Sequence, residues 1–462
     1  MSERSKASHG GDILAIGFAT IVAMWTVIYI AAMPPVVVPV WLVVTILAAL
    51  LAAAGYVAGR YAGRGWFGGV VLGGLLTGVN LLILLSLLGG GEPGELVPSA
   101  AGWIIGFLLA ASGLGAVGAA IGKQSAGDDI RRVNWTCWLA GVTAITILLL
   151  IIAGGIVTGL EAGLAVKGWL IPEGHLLVLF PVSLMQRDVE TFVEHAHRLW
   201  GLLVGLTTII LAIHLWMVDR RRWLRWLAVA TVLAVIAQGT LGGTRVTEQS
   251  IVLAIIHGLF AQAVFATLAV IAAATSTTWV SDRPAASSAT AGTDRTLGIV
   301  LLAAIGVQIV LGALFRHLQP LPDVPRGLLM GLLHGHSFVG SMFVVAMVLF
   351  CGVRAWGMYH WQPIVKRIGV ALILTMLFQV VLGVGSFIVV PTGPRDPDTA
   401  IGAVEVALTT AHQATGAILL ATATLLLVWS SRLLLPVLAA AEGLTRAPQG
   451  PRLNLNTRRP QA

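Results

Sequence analysis

The sequence predicts an all-α polytopic membrane protein, an eight-helix core of two pseudo-symmetric four-helix bundles preceded by about four additional N-terminal transmembrane helices. Three observations carry this: an extreme apolar composition, a series of apolar stretches each long enough to cross a bilayer, and an internal repeat. Of 462 residues, 57% are apolar and 10% charged, with a mean hydropathy of +0.91. A soluble domain averages roughly 25% charged residues, and a disordered chain needs low hydrophobicity, so both classes are excluded. The 54 glycines lie among Leu, Val and Ala without a three-residue period. That excludes collagen and fits close helix packing in a membrane.

Each crossing needs about 20 predominantly apolar residues. Spans are expected near 13–33, 36–59, 66–90, 100–121, 135–158, 192–217, 224–244, 251–275, 296–316, 330–353, 368–390 and 404–430. The basic residues alternate with these spans. Arg4 and Lys6, Arg60 and Arg64, Lys123, Arg131 and Arg132, Arg220 to Arg222 and Arg225, Arg283 and Arg295, and Arg354, Lys366 and Arg367 mark one side, with the Arg-rich tail. Lys167, Arg187, Arg245, Arg316, Arg326 and Arg395 are the sparse basic residues of the other. The positive-inside rule puts both termini in the cytoplasm of a cell whose inner membrane holds the protein. The net charge of +8 therefore reports topology and not a nucleic-acid partner. Cys137 and Cys351 are too few for a disulfide framework.

The last eight spans read as two copies of one four-helix unit. GGIVTG at 154–159, EHAHRLWG at 194–201, QGTLGGTRV at 238–246 and AIIHGLF at 254–260 are followed, in the same order, by LGALFRH at 311–317, LHGHSFVG at 333–340, QVVLGVGSF at 379–387 and TTAHQATG at 409–416. Both copies run in the same sense, which makes this a parallel repeat. The expected organisation is an N-terminal four-span region (1–130), a first bundle (131–275), a cytoplasmic linker (276–295), a second bundle (296–432) and a cytoplasmic tail (433–462).

His197, His257, His336 and His412 each follow the outer start of their helix by several residues, roughly 8–12 Å below the outer interface. Ionisable groups at such depth are functional candidates by default, and neutral imidazole suits haem iron. The natural metal-ligand pairs are His197 with His257 and His336 with His412. Residues i and i+2 point about 200° apart on a helix, so only one of His195 and His197, and one of His334 and His336, faces a bundle interior. His214, His317 and His360 are expected at the interface, and His9 and His175 in exposed loops. Glu194 shares a helix face with His197 and reads either as a helix-end carboxylate favoured by the dipole or as an acid/base group at the first site; the second copy has Leu333 there. Arg198, Arg245 and Arg316 sit at outer helix ends, placed for lipid phosphates or for bidentate pairing with haem propionates.

Glu-x-x-His-Arg at 194–198, Gln-Gly-x-Leu-Gly-Gly at 238–243, the His of the next helix, Leu-Gly-Ala-Leu-x-Arg at 311–316 and His412 together resemble the haem A synthase family, over about residues 135–431. The resemblance implies a structural haem b held by His336 and His412. It also implies a substrate site at His197, His257 and Glu194, where the C8 methyl of haem O is oxidised to a formyl to give haem A for terminal oxidase assembly. An electron donor, quinol or redox protein, and a haem O synthase are the partners to look for, with membrane lipid around the chain and a homo-oligomer as one arrangement; no nucleic acid is implied. The chain departs from the family pattern in having no Cys in the outer loop EAGLAVKGWLIPEGHLLVLFPVSLMQRD, Thr158 where Arg is expected, Ser337 after His336, and four extra N-terminal spans without His. Those spans carry the Gly-rich run GYVAGRYAGRGWFGGVVLGG, a helix-packing signature.

Two other functions share the histidine pattern: a bis-His di-haem cytochrome passing electrons from quinol, and a non-catalytic haem carrier. Neither accounts for a carboxylate in one copy only. The topology itself is testable. A cysteine introduced at Gly174 should label from outside and one at Ala285 from inside; the reverse pattern contradicts the orientation.

Overall fold

The computed structural model describes residues 9–90, 94–126, 133–281, 288–321, 323–391 and 400–434. Among these, twelve helices are long and apolar enough to cross a membrane. They are α1 His9–Ala32, α2 Val40–Ala62, α3 Trp66–Leu87, α4 Ala100–Ala126, α5 Trp135–Gly159, α6 Val189–Val218, α7 Arg222–Thr247, α8 Ile251–Thr275, α9 Ala291–Leu318, α10 Arg326–Met358, α11 Pro363–Val389 and α12 Ala403–Leu433. The protein is an all-α polytopic membrane protein. Several helices outrun the apolar stretch, as in α6, which starts where Asp188 accepts a hydrogen bond from the Thr191 N–H at 2.6 Å. Burial opposes ionisation of Asp188, but hydrogen bonds from Thr191 and the neighbouring Arg187 outweigh it and hold the carboxyl below its ordinary value. The cap is thus charged at neutral pH, where it complements the helix dipole.

Helices α5 to α8 pack in a closed ring, each touching the next and α8 returning to α5, and α9 to α12 do the same. The rings meet through their first and last helices, α5 and α8 against α9 and α12. One hydrophobic cluster runs through both rings and into α1 to α4, with Leu139, Leu203, Leu268, Leu301, Val348 and Leu372 fully buried. In a bilayer such contacts hold by packing and not by hydrophobic exclusion. The expected linker is partly helical: Thr277–Ser281 forms a short helix and α9 begins at Ala291. Thr290 and the start of α9 are tied to the second bundle by Tyr359, which meets Thr290 Oγ1 at 2.8 Å and donates to Asp294, itself 2.7 Å from Arg354. Residues 282–287 of that linker and the tail from 435 onward lie outside the described residues.

In the N-terminal region, α4 packs against α2 and α3. A Cβ on Gly118 or Gly122 of α4 would run into the carbonyls of Ala52 and Tyr56 on α2, and one on Gly73 of α3 into the Ser112 backbone. These are small-residue seams that let two backbones meet. The helix α1 connects this region to the core: Trp25 meets Trp200 of α6 edge-on at 5.7 Å, and Tyr29 lies 5.5 Å from Phe192. Inside the region, Trp25 donates to Asn80 of α3 at 3.0 Å, and Asp12 pairs with Arg64 at 2.7 Å.

The segment 160–188 crosses the outer end of the first bundle as a series of short turns, Pro172–Gly174, Leu177–Leu179 and Val182–Met185. It is held from the N-terminal side, where Ser86 donates to the Val178 carbonyl at 3.1 Å and Gln186 to that of Ala32 at 3.1 Å. One expectation fails here. His175 is buried, not exposed, because the segment folds it against Phe180. His214 lies near the end of α6, as its position in the sequence implies, and its buried ring is 3.0 Å from the Thr136 hydroxyl of α5.

Candidate functional site

Each bundle presents one imidazole from its second helix and one from its fourth: His197 on α6, His257 on α8, His336 on α10 and His412 on α12. Each ring rests on a glycine of another helix in the same ring. His197 lies over Gly154 of α5, His257 over Gly242 of α7, His336 over Gly312 of α9 and His412 over Gly383 of α11. A Cβ at these glycines would stand 2.9, 2.8, 2.7 and 3.0 Å from the respective Cε1 atoms. Any larger residue pushes the ring away. The four glycines are part of the site for that reason, and sequence reading alone had assigned them no role there.

Four residues before each glycine, on the same helix face, stand Leu150, Gln238, Gln308 and Gln379. The carbonyl of Gln238 lies 3.1 Å from His257 Nδ1 and that of Gln308 lies 3.0 Å from His336 Nδ1. An Nδ1–H donated to a carbonyl leaves Nε2 as the bare ligand nitrogen. The Gln379 amide nitrogen is 3.3 Å from His412 Nε2. The Leu150 and Gln379 main chains stand in the same relation to the rings of His197 and His412.

The two doublets part as helix geometry requires. His195 is fully buried and stacks on Phe180 at 4.5 Å, turned to the outer segment and away from the bundle interior. His334 is exposed, with Nδ1 2.6 Å from the Met330 carbonyl and its ring stacked on Phe338. The rings of His336 and His412 meet edge to face, with centroids 6.1 Å apart and planes at 85°. Two imidazoles bound to one metal from opposite sides, each at about 2 Å, put their centroids roughly 6 Å apart. The donor set is paired neutral nitrogen, and the described residues contain no cluster of three or more His, Cys, Asp or Glu that would build a closed metal cage. This chemistry fits a planar macrocycle with two axial positions.

Glu194 is buried, and both of its oxygens are engaged: Oε1 accepts from Arg198 at 2.5 Å and Oε2 from the Val166 N–H at 2.7 Å. Arg198 also donates to the Val166 and Gly168 carbonyls. Arg245 donates to the Gly163 carbonyl at 2.9 Å, and Trp169 covers Gly243. Residues 163–169 are thereby stitched across α6 and α7. Arg316 of the second bundle reaches the Thr158 carbonyl of the first at 2.8 Å, and Glu161 at 3.4 Å. Thr158 is the repeat counterpart of Arg316, so the arginine missing from the first copy is supplied across the interface by the second.

Fold and site together define a polytopic membrane protein with two stacked-helix rings, each offering a pair of glycine-seated imidazoles. Residues 170–331 match the family model for COX15-CtaA, cytochrome oxidase assembly protein. Over 133 residues the chain is 32% identical to a protein named heme A synthase from Shouchella clausii, a stretch that covers 28% of this chain and 42% of that protein. The chain thus matches less than half the length of that relative. The resemblance to the haem A synthase family is borne out, on a region that contains His197, Arg198, Arg245, His257 and Arg316; His336 and His412 lie beyond it.

With haem B bound, His336→Ala or His412→Ala should abolish a bis-imidazole low-spin absorption band. Gly312→Ala, whose methyl meets the His336 ring, should weaken or shift it by overpacking worth about 1–3 kcal/mol. An unchanged band in all three variants contradicts the pairing.

Proposed function

We propose that this protein is a haem A synthase-type oxidoreductase of the inner membrane, with both termini cytoplasmic. In this reading the first bundle, residues 131–275, takes haem O as substrate and oxidises its C8 methyl to the formyl of haem A. The second bundle, 296–432, keeps a resident haem b on His336 and His412. The observation that carries it is the combination of two like imidazole pairs with a single carboxylate: Glu194 stands beside the first pair, and Leu333 holds its place in the second. The name of the matched relative supports the same direction.

The parts divide as follows. His197 and His257 hold the substrate at its iron and fix which edge of the macrocycle is presented. Segment 160–188, drawn over the first pair by Glu194, Arg198 and Arg245, keeps water from the reacting edge. Arg198, Arg245 and Arg316 now donate to main-chain carbonyls, and can trade those acceptors for the substrate's carboxylates. Glu194 is the proton-exchanging group of the first site. The conversion is a four-electron oxidation that needs an oxidant of the dioxygen class: two successive hydroxylations give a geminal diol that loses water to the aldehyde, with a quinol or a redox protein supplying the reducing electrons that a resident haem would relay. A haem O synthase is the partner expected to hand over the substrate.

Glu194→Gln tests this most simply. The amide keeps one acceptor oxygen for Arg198 or for the Val166 N–H, turns its NH2 toward the other, and exchanges no proton. Both haem positions should remain filled while haem A formation falls by about 10²–10⁴, with haem O or a hydroxylated product accumulating. Wild-type output at equal protein level returns Glu194 to a purely structural tie between α6 and the outer segment.

A further inference from the structure

The turn between α6 and α7 reads DRRRWLRW over residues 219–226, four guanidinium groups against one carboxylate. The structure divides the four into two kinds. Arg221 is engaged inside the protein: it pairs with Asp219 at 2.6 Å and donates to the Ala274 carbonyl, at the end of α8, at 2.8 Å. Arg225 is engaged as well, donating to the Asp219 carbonyl. One aspartate, through its side chain and its main chain, thus holds both arginines and fixes the turn. Arg220 and Arg222 are exposed, and among the described residues neither has a hydrogen bond or an ion pair. Guanidinium stays charged at any working pH. Two such groups, set two residues apart by a rigid turn and left without a counter-charge, present a site for an anion.

The indoles of the same turn show what kind of anion. Trp216, Trp223 and Trp226 are 45, 47 and 62% exposed, and tryptophan gathers at the level of lipid headgroups. Arg225 lies 5.8 Å over Trp216, and Arg221 5.8 Å over Trp223. Trp216 meets Trp226 edge-on at 5.5 Å. Trp223 lies 6.3 Å from Trp279, which packs on Trp429 of α12 and carries Arg432 over its ring at 4.6 Å. An aromatic shelf therefore runs from the end of α6 to the end of α12, across both bundles at one level. Arg222 and Trp226 are four residues apart, on one face of α7. A free phosphate would use the charges and leave the indoles unused. A phospholipid uses both, its phosphate on the guanidinium groups and its glycerol and upper acyl chains on the rings. We propose that Arg220 and Arg222 bind the phosphate of an anionic phospholipid, with Trp223 and Trp226 as the surface its chains lie on. This does not depend on what the histidine pairs hold.

The test titrates full-length protein in zwitterionic detergent with phosphatidylglycerol or phosphatidylcholine brominated on the acyl chains, which quench indole fluorescence on contact. Phosphatidylglycerol should quench at concentrations on the order of tenfold or more below phosphatidylcholine, the scale expected for two arginines at an anionic headgroup. Arg220→Gln with Arg222→Gln should abolish that preference, and Arg220→Lys with Arg222→Lys should keep most of it. Trp226→Phe should lower the quenched amplitude. Lys366→Gln with Arg367→Gln, in another basic turn on the same side of the membrane, should leave the preference intact. Inorganic phosphate at millimolar concentration should not compete. Equal quenching by the two lipids in the wild-type protein overturns the proposal. So does a preference unchanged by loss of Arg220 and Arg222, or one lost equally in the Lys366 and Arg367 variant. Competition by inorganic phosphate overturns the lipid in favour of a soluble anion.

Discussion

The close seating of an imidazole on a glycine of another helix is the contact from which the rest of the core follows. It occurs four times, once for each second and fourth helix of a bundle. Each seat dictates how near α5, α7, α9 and α11 come to their partners, because a single methyl would collide with the ring. It also sets which ring nitrogen is exposed. The residue four positions earlier on the glycine-bearing helix lies one turn away on the same face, and at Gln238 and Gln308 its carbonyl meets Nδ1. Helix spacing, tautomer and ligand direction are thus consequences of one local arrangement, repeated.

The repeat is most informative where it breaks. The first bundle carries Glu194 and an outer segment tied down by Arg198 and Arg245; the second carries a π-turn, Gly335–Gly340, at His336. Arg316 crosses from one bundle to the other to cap α5 at Thr158, so the asymmetry is shared and neither bundle is complete alone. The four N-terminal helices join this economy from outside. Through Tyr29, Ser86 and the Ala32 carbonyl they brace α6 and the outer segment 160–188.

Much of this was legible in the sequence. Span number, the parallel repeat and the four deep histidines follow from apolar run length and from like motifs in like order, properties that packing detail does not alter. The helical 100° step already required His195 and His197 to part, though only tertiary contacts with Phe180 and Gly154 decide which faces the bundle interior. The glycine seats were hidden because a membrane helix uses glycine for many close approaches, as Gly118 and Gly122 do with no histidine nearby. A sharper signal was present in the spacing Gln-x-x-x-Gly at 238, 308 and 379, with Leu150 in the fourth place. The burial of His175 depended on a loop folding back, which no local pattern encodes.

The central claim is that the two pairs hold chemically different haems, one resident and one being converted. Pigment extraction and mass spectrometry of the purified full-length protein address it directly. The account predicts haem B together with haem O, haem A or an oxidised intermediate between them, in comparable amounts per chain. Haem B alone at two per chain, or haem bound in only trace proportion, would contradict it.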